Sequence, residues 1–360
     1  MGLLNIGEFA RASRLSAKAL RLYDELGLLP PAHVDPFTGY RFYALEQLDR
    51  ARLVLWLRQL GMPLAQIRTV CDLPPAAAAA EISRFWEQVE ADTASRRDLA
   101  GFLIGLLTER DAQSPDAAPG LRIRYAARCD TGLVRAVNQD AVYAGPRLLA
   151  VADGCGADGG PASTAAIESL LAVAAGPPLS AGDLLNALAD AARAANQAIG
   201  GLAADPDAGP ATGTTLTAMV VAGSHLALVH IGDSRAYLLR GGELFQITRD
   251  DTLVQAMVDE GRLTREEAAS HPQRALLLRA LDGRRATAPQ MDLHQPRPGD
   301  RYLLCSDGVS AVICDDDIQR VLSTAADPDD AAAELMTLVH GAGAPDNASC
   351  VVADIGPDPA

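Results

Sequence analysis

The sequence predicts a multidomain α+β chain, with a small helical head followed by a larger layered domain. Three observations carry this: the length of 360 residues, an uneven placement of charge, and a change in hydrophobic periodicity near residue 120. Such a length is comfortable for two domains. The net charge is −15, yet residues 1–75 hold nine basic side chains against seven acidic ones, so the acidic excess lies in the remainder. An acidic body with a mildly basic head points to separate tasks for the two ends. Overall acidity argues against a nucleic-acid-binding chain, since phosphate contacts need Lys and Arg, but the head escapes that exclusion. Hydrophobic residues make up 49% and aromatics only 4%, so the cores must be built mainly from Ala, Val, Leu and Ile.

In the head, Ile6, Phe9 and Ala10, then Leu20, Leu22 and Leu26, recur at helical spacing and predict two short helices over 5–12 and 16–26. Ser16 is suited to cap the second and Gly27 to stop it. The stretch LLPPAHVDPFTGYRFY, residues 28–43, combines prolines with a Thr-Gly turn before an aromatic run and predicts a loop or short β-hairpin. Two more helices follow at 45–60 and 63–72, separated by Gly61 and begun by Pro63. Residues 77–110 are free of Pro and Gly until Gly101 and offer Ile82, Phe85, Val89, Leu99, Phe102, Leu103 and Leu106 to one face. That spacing fits a linking or dimerising coiled-coil helix and equally a helix packed on its own chain. DAQSPDAAPG has linker composition. The expected division is therefore 1–75 for the head, 76–110 for the helix, 111–120 for the linker and 121–356 for the body.

Within the body, β-prone runs fall at 122–127, 147–152, 214–222, 225–231, 235–240, 301–305 and 349–354. Ala-rich helical segments lie at 162–175, 181–200, 252–260, 264–269 and 328–341. Helices and strands occur in blocks rather than strict alternation, which favours an α+β layered domain over a doubly wound sheet. Asp140, Asp153, Asp233, Asp307 and Asp346 sit beside strand runs, and Gly154 follows Asp153 directly. Asp-Gly is also a common turn dipeptide. Five such carboxylates together are the oxygen donors a hard divalent cation takes, and the Gly154 carbonyl is a further candidate ligand. Arg135, five residues before Asp140, is placed to fork onto a phosphate.

The segments TGLVRAVNQDAVY, LLAVADGCG, GTTLTAMVV, LVHIGDSRAYLLRGGELFQIT, HPQRALLLRAL, PGDRYLLCSDGV and PDNASCVVADI follow one another in the body. In that order they resemble the metal-dependent serine/threonine protein phosphatases of type 2C in their bacterial form, over roughly 121–356. The resemblance implies an α-β-β-α layered phosphatase sandwich with two Mn²⁺ or Mg²⁺ ions, or three, at one end. It implies that Asp153 bridges two metals, that Gly154 is a carbonyl ligand, and that Asp307 and Asp346 complete the first metal. Asp233 would hold a third, weaker metal, Asp140 a metal or its water, and Arg135 the phosphate. Metal-activated water would then attack the phosphomonoester, with Asp153 and Arg135 as catalytic residues and no covalent intermediate. Two stretches depart from the family pattern: Cys155-Gly156-Ala157-Asp158, and Thr248-Arg249-Asp250-Asp251-Thr252 where Thr-His-Asp-His-Ser is usual.

NIGEFARASRLSAKALRLYDELGLLPP and GYRFYALEQLDRARLVLWLRQLGMPLAQI resemble the winged helix-turn-helix of MerR-type transcription regulators. The resemblance implies double-stranded promoter DNA as partner, contacted through Arg14, Lys18, Arg21 and Tyr23 near the recognition helix and Tyr40, Arg41 and Tyr43 on the wing. It also implies a homodimer built on the long helix. The expected function is thus a dimeric transcription regulator carrying a phosphoserine/phosphothreonine protein phosphatase. A regulator whose phosphatase-like domain is a non-catalytic sensor stays open, because the altered rim at 155–158 and 249–252 favours it while the retained aspartates oppose it. Six widely spaced cysteines without a C-x-x-C pair, and no signal or membrane-spanning pattern, place the chain in the cytoplasm with reduced thiols.

Overall fold

The computed structural model describes residues 2–108, 122–177, 179, 181–202, 212–222, 225–284 and 288–356. The linker expected at 111–120 lies outside the described residues. Two compact units emerge: Met1–Glu87 with Leu253–Arg274, and Gln88–Thr252 with Ala275–Ala360.

In the first unit β1 (Leu3–Asn5) runs into α1 (Ile6–Ser13) through Asn5, whose side chain accepts from the Gly7 and Glu8 amides while Glu8 returns a bond to the Asn5 amide. This reciprocal cap fixes where the helix starts. Ser16 caps α2 (Ala17–Glu25) by accepting from the Ala19 amide at 3.0 Å. Strands β2 (His33–Val34) and β3 (Arg41–Ala44) form the hairpin, with β3 central between β1 and β2. Helices α3 (Gln47–Gln59) and α4 (Leu64–Asp72) then close over Phe9, Leu20, Leu29, Tyr43, Val54 and Met62. Helix α5 spans Pro75–Thr108, and its Ala78, Ile82 and Phe85 pack onto that same core.

In the second unit Gln88 of α5 donates to the Gln246 carbonyl at 3.0 Å. The chain continues as β4 (Arg122–Asp130), β5 (Asp140–Ala144), β6 (Leu148–Cys155), α6 (Gly159–Ala175), α7 (Ala181–Leu202), β7 (Gly213–Thr214), β8 (Leu216–Ala222), β9 (His225–Ile231), β10 (Arg235–Arg240) and β11 (Glu243–Gln246). It then leaves for α8 (Leu253–Asp259) and α9 (Arg265–Ala269), which group with the first unit. It returns as β12 (Gln290–His294), β13 (Arg301–Cys305), α10 (Asp307–Ser310), α11 (Asp315–Thr324), α12 (Pro328–Gly341) and β14 (Ala348–Gly356).

These strands make two antiparallel sheets, ordered β11-β10-β13-β14-β4 and β12-β9-β8-β6-β5, with β7 appended to β6. Alternation along each strand sends side chains to opposite faces. Leu149 and Val151 meet Tyr302, Leu304 and Val351 between the sheets, while Leu148, Ala150 and Ala152 face α6 and α7. Leu303 and Cys305 face α10, α11 and α12 on the other side. The result is the expected α-β-β-α layering, with small residues letting the helices approach closely.

Candidate metal centre

Five strand ends bring the carboxylates together. Asp140 opens β5 and lies directly across from Asp153 in the β5–β6 register. Asp233 occupies the turn between β9 and β10, Asp307 starts α10 as β13 ends, and Asp346 lies in the turn before β14. Ser306 ties three of these ends: its Oγ donates to Asp140 Oδ2 at 2.8 Å, its amide donates to the Ser349 carbonyl, and the Ser349 amide donates back to its Oγ. Thr215 supports another, its Oγ1 accepting from the Asp153 amide at 2.9 Å and meeting Ser234 Oγ at 2.7 Å.

Burial and mutual repulsion govern the site's electrostatics. Burial, then the nearby Asp307 and Asp346, pushes Asp140 up to about 6 against Ser306 and Ser349, which favour its charged form. Asp233 is pushed up to about 8 by burial, Asp307 and Asp250. Burial also raises Asp307, and it raises Asp153 well above the carboxylate range, with Asp140, Asp307 and Asp233 adding repulsion. Asp153 and Asp307 are neighbours in this buried cluster, and each disfavours the other's charged form or competes for its proton. Arg135 Nη2 donates to Asp346 Oδ2 at 2.7 Å and also feels Asp153 and Asp307, so it stands at the edge of the cluster.

The donor set fits a hard divalent cation. It is made entirely of oxygen. Asp140 Oδ1 is buried and without a hydrogen-bond partner. At Gly154 a Cβ would stand 2.1 Å from the Gly159 carbonyl oxygen and 2.6 Å from that of Gln139, so no side chain can cover this backbone. Among the described residues no three His, Cys, Asp or Glu side chains stand in a finished ligand arrangement. Asp346 is turned onto Arg135, so metal binding at Asp346 has to compete with that ion pair.

Several positioning residues carry no carboxylate and escape a search for ligands. Asn347 accepts from the Gln139 amide at 2.9 Å and donates to the Thr131 and Val137 carbonyls at 2.9 and 3.0 Å, pinning the loop that bears Arg135. Its neighbour Asp346 was the visible signal. Within the 249–252 departure Arg249 is exposed, but Asp250 takes a bidentate contact from Arg235, and the buried Asp251 pairs with Arg279 and accepts from the Gly232 amide at 3.2 Å. At the other departure, Cys155 is exposed while the Gly156 carbonyl accepts from Gln139 Nε2 at 2.8 Å.

On the head, Arg14, Lys18, Arg21 and Tyr40 are exposed, Tyr40 by 64%. Arg41 is half-buried and paired with Asp24 at 2.6 Å. Tyr23 and Tyr43 belong instead to the head's core; Tyr43 is fully buried and stacks on Phe9 at 4.6 Å between ring centroids. Tyr43 is therefore not proposed as a DNA contact, since its hydroxyl donates to the Leu20 carbonyl at 3.4 Å inside the head, whereas Tyr23 could offer a phosphate only its hydroxyl.

Residues 134–350 match the Protein phosphatase 2C family and residues 4–73 match the MerR HTH family of regulatory proteins. The serine/threonine protein phosphatase PstP of Mycobacterium tuberculosis is 52% identical over 238 residues, covering 65% of this chain and 45% of that protein. The chain thus spans about half the length of that relative. The crystal structure of M. tuberculosis PstP/Ppp matches with a TM-score of 0.61 at 51% identity, covering 65% of this chain and 99% of that one. A PstP catalytic domain in complex with two manganese ions matches with a TM-score of 0.60 at 49% identity, covering 66% and 100%. Layered sandwich, convergent aspartates and sequence agree: the chain belongs to the protein phosphatase 2C family, joined to an N-terminal MerR-type helix-turn-helix head.

Proposed function

We propose that the chain is a Mn²⁺- or Mg²⁺-dependent phosphoserine/phosphothreonine protein phosphatase that its head carries to double-stranded DNA as a homodimer. The observation that carries the enzymatic reading is the burial of Asp140, Asp153, Asp233 and Asp307 against one another. Carboxylates at this density need divalent cations or protons as counter-charge. Asp153, Asp307 and Asp346 would hold one ion, Asp153 with the Gly154 carbonyl a second, and Asp233 with Asp307 a third; Asp140 would hold a metal or its water. When bound, such ions activate water at neutral pH and offset charge on the phosphoryl group.

The chain's own groups do the remaining work. Arg135 presents a half-exposed guanidinium that binds the phosphoryl oxygens, with Asp346 orienting it and Asn347 fixing its loop. Asp140, held through Oδ2 by Ser306, keeps its other oxygen, Oδ1, buried and unpartnered and so available to orient water. The P–O ester bond breaks as the new P–O bond to water forms, and the serine or threonine oxygen leaves with a proton. Because Asp250 and Asp251 of this stretch are paired with Arg235 and Arg279, these two departures from the family pattern have a structural role and give the non-catalytic sensor reading little support.

For the head, Arg14, Lys18, Arg21, Tyr40 and Arg41 remain the proposed DNA contacts, with Tyr23 through its hydroxyl alone. Trp56 of α3, Leu60 just beyond its end and Trp86 of α5 are 59%, 40% and 42% exposed, large apolar side chains that a second copy could cover. Phosphate release from a phosphothreonine peptide tests the enzymatic reading: it should need Mn²⁺, stop on chelation, and fall about a hundredfold in kcat/KM in Arg135→Ala. Turnover that survives chelation unchanged would refute it.

A further inference from the structure

Helix α4 of the head meets residues from a distant part of the sequence within the first unit. Arg68 Nη2 donates to Glu267 Oε1 at 2.6 Å, while its Nη1 donates to the Leu26 carbonyl at 3.4 Å. Glu267 uses its other carboxylate oxygen to accept from the Thr264 amide at 2.8 Å, closing the cap of α9. One residue therefore starts α9 and ties it to α4. The backbone of Gly261 runs along the same helix: a Cβ there would lie 3.1 Å from the Leu64 amide nitrogen and 3.4 Å from Leu64 Cβ. Gly261 has φ +71, so the position needs glycine both for its backbone conformation and for the close approach.

The segment 253–274 has its own small core of Val254, Val258 and Ala268 with Leu263. Its two ends are rooted together in the second unit. Thr252 bridges Leu277, and the Leu278 amide donates to the Asp251 carbonyl at 2.7 Å. The Asp251 amide donates to the Gly232 carbonyl at 2.7 Å, and Asp251 Oδ2 accepts from the Gly232 amide, immediately before Asp233.

We propose that α4 is the docking surface for the chain's own 253–274 segment, and that docking lets the head control phosphopeptide turnover. The control claim rests on the phosphatase reading above; the docking claim does not. An ion pair as exposed as Arg68–Glu267, at 32% and 46%, stabilises only weakly. The hold is therefore reversible, as a regulated contact must be. Displacement of the segment pulls on its two covalent roots, which meet where Thr252 bridges Leu277 and Asp251 bonds Leu278, a continuous physical connection into the second unit. A small aryl phosphate needs only the carboxylates and Arg135, whereas a peptide extends beyond them, so undocking should act on peptide turnover selectively.

The test is hydrogen exchange and kinetics on the full Mn²⁺-loaded chain, comparing wild type with Arg68→Glu and Gly261→Ala. Docking predicts that amides in 253–274 exchange roughly three- to fivefold faster in both variants, the size of a lost surface contact, while the β-sandwich is unchanged. Control predicts a similar change in KM for a phosphothreonine peptide, with p-nitrophenyl phosphate turnover within about twofold of wild type. Unaltered exchange in 253–274 would overturn the docking. Faster exchange with unaltered peptide KM would overturn the control. A wild type without any turnover would defeat the phosphatase reading, and with it the control claim, while the exchange result still decides the docking.

Discussion

At the scale of single residues, the site depends on positions where nothing larger or less polar fits. Gly154→Ala would force a methyl group onto the Gly159 and Gln139 carbonyls. Calorimetric melting should show a loss of about 1–3 kcal/mol, and titration with Mn²⁺ should show weakened binding. An unchanged melting profile would contradict the close approach. Arg14 occupies the turn between α1 and α2 at φ 59, a left-handed conformation that suits glycine. Arg14→Gly should therefore leave stability unchanged or raise it by up to about 1 kcal/mol, while weakening binding to a duplex in a fluorescence titration. Asp153, Asp233, Asp307 and Asp346 were legible in the sequence because each sits within a few residues of an expected β-prone run, whereas Asp140 opens β5, which was not among those runs. The tyrosines of GYRFY were harder to place. Alternation puts Arg41 and Tyr43 on one face of β3, and that face turns inward onto Asp24 and Leu20. Once Arg41 is seen to pair with Asp24, the burial of Tyr43 follows from the pleat.

At the scale of elements, the long or strongly apolar runs declared themselves. Strands β6, β8, β9, β10 and β13 and helices α6, α7 and α12 fall within a few residues of their expected spans. Strands β5, β11 and β12, with sequences DAVYA, ELFQ and QMDLH, did not, because strands of four or five residues at a sheet edge are too short to show a period and form through their neighbours. Helix α11 was not among the expected helices, although its three opening aspartates suit a helix N-terminus. The segment 253–274 was legible as two helices but not as a partner of the head, since periodicity gives no tertiary address. Asn347 shows how elements position chemistry, as one amide fixes both ends of the 131–139 loop. Asn347→Ala should cost about 1–3 kcal/mol in denaturant unfolding and raise the KM for phosphopeptide more than it lowers kcat. A fall in kcat alone would place Asn347 in the chemical step instead.

At the scale of the whole molecule, the buried carboxylates couple stability to pH and metal. Asp140 at about 6 and Asp233 at about 8 lie above the ordinary carboxylate value, so between these limits the folded chain binds more protons than the unfolded one. Without metal, their contribution to stability is full below about pH 4 and is lost as pH rises through 6 to 8. Mn²⁺ competes with those protons, so its stabilising effect should grow over the same interval; melting curves in chelator and in Mn²⁺ from pH 5 to 9 check both slopes. For the head, Arg21→Ala should reduce the slope of log affinity for a mixed-sequence duplex against log salt by about one. The measurement that tests the central claim most directly is Mn²⁺-dependent hydrolysis of a phosphothreonine peptide by wild type, Asp153→Ala and Asp307→Ala, each first shown to be folded. The account predicts turnover by the wild type and its loss in both variants, whereas a folded, metal-loaded wild type with no turnover, or turnover that survives both substitutions, would contradict it.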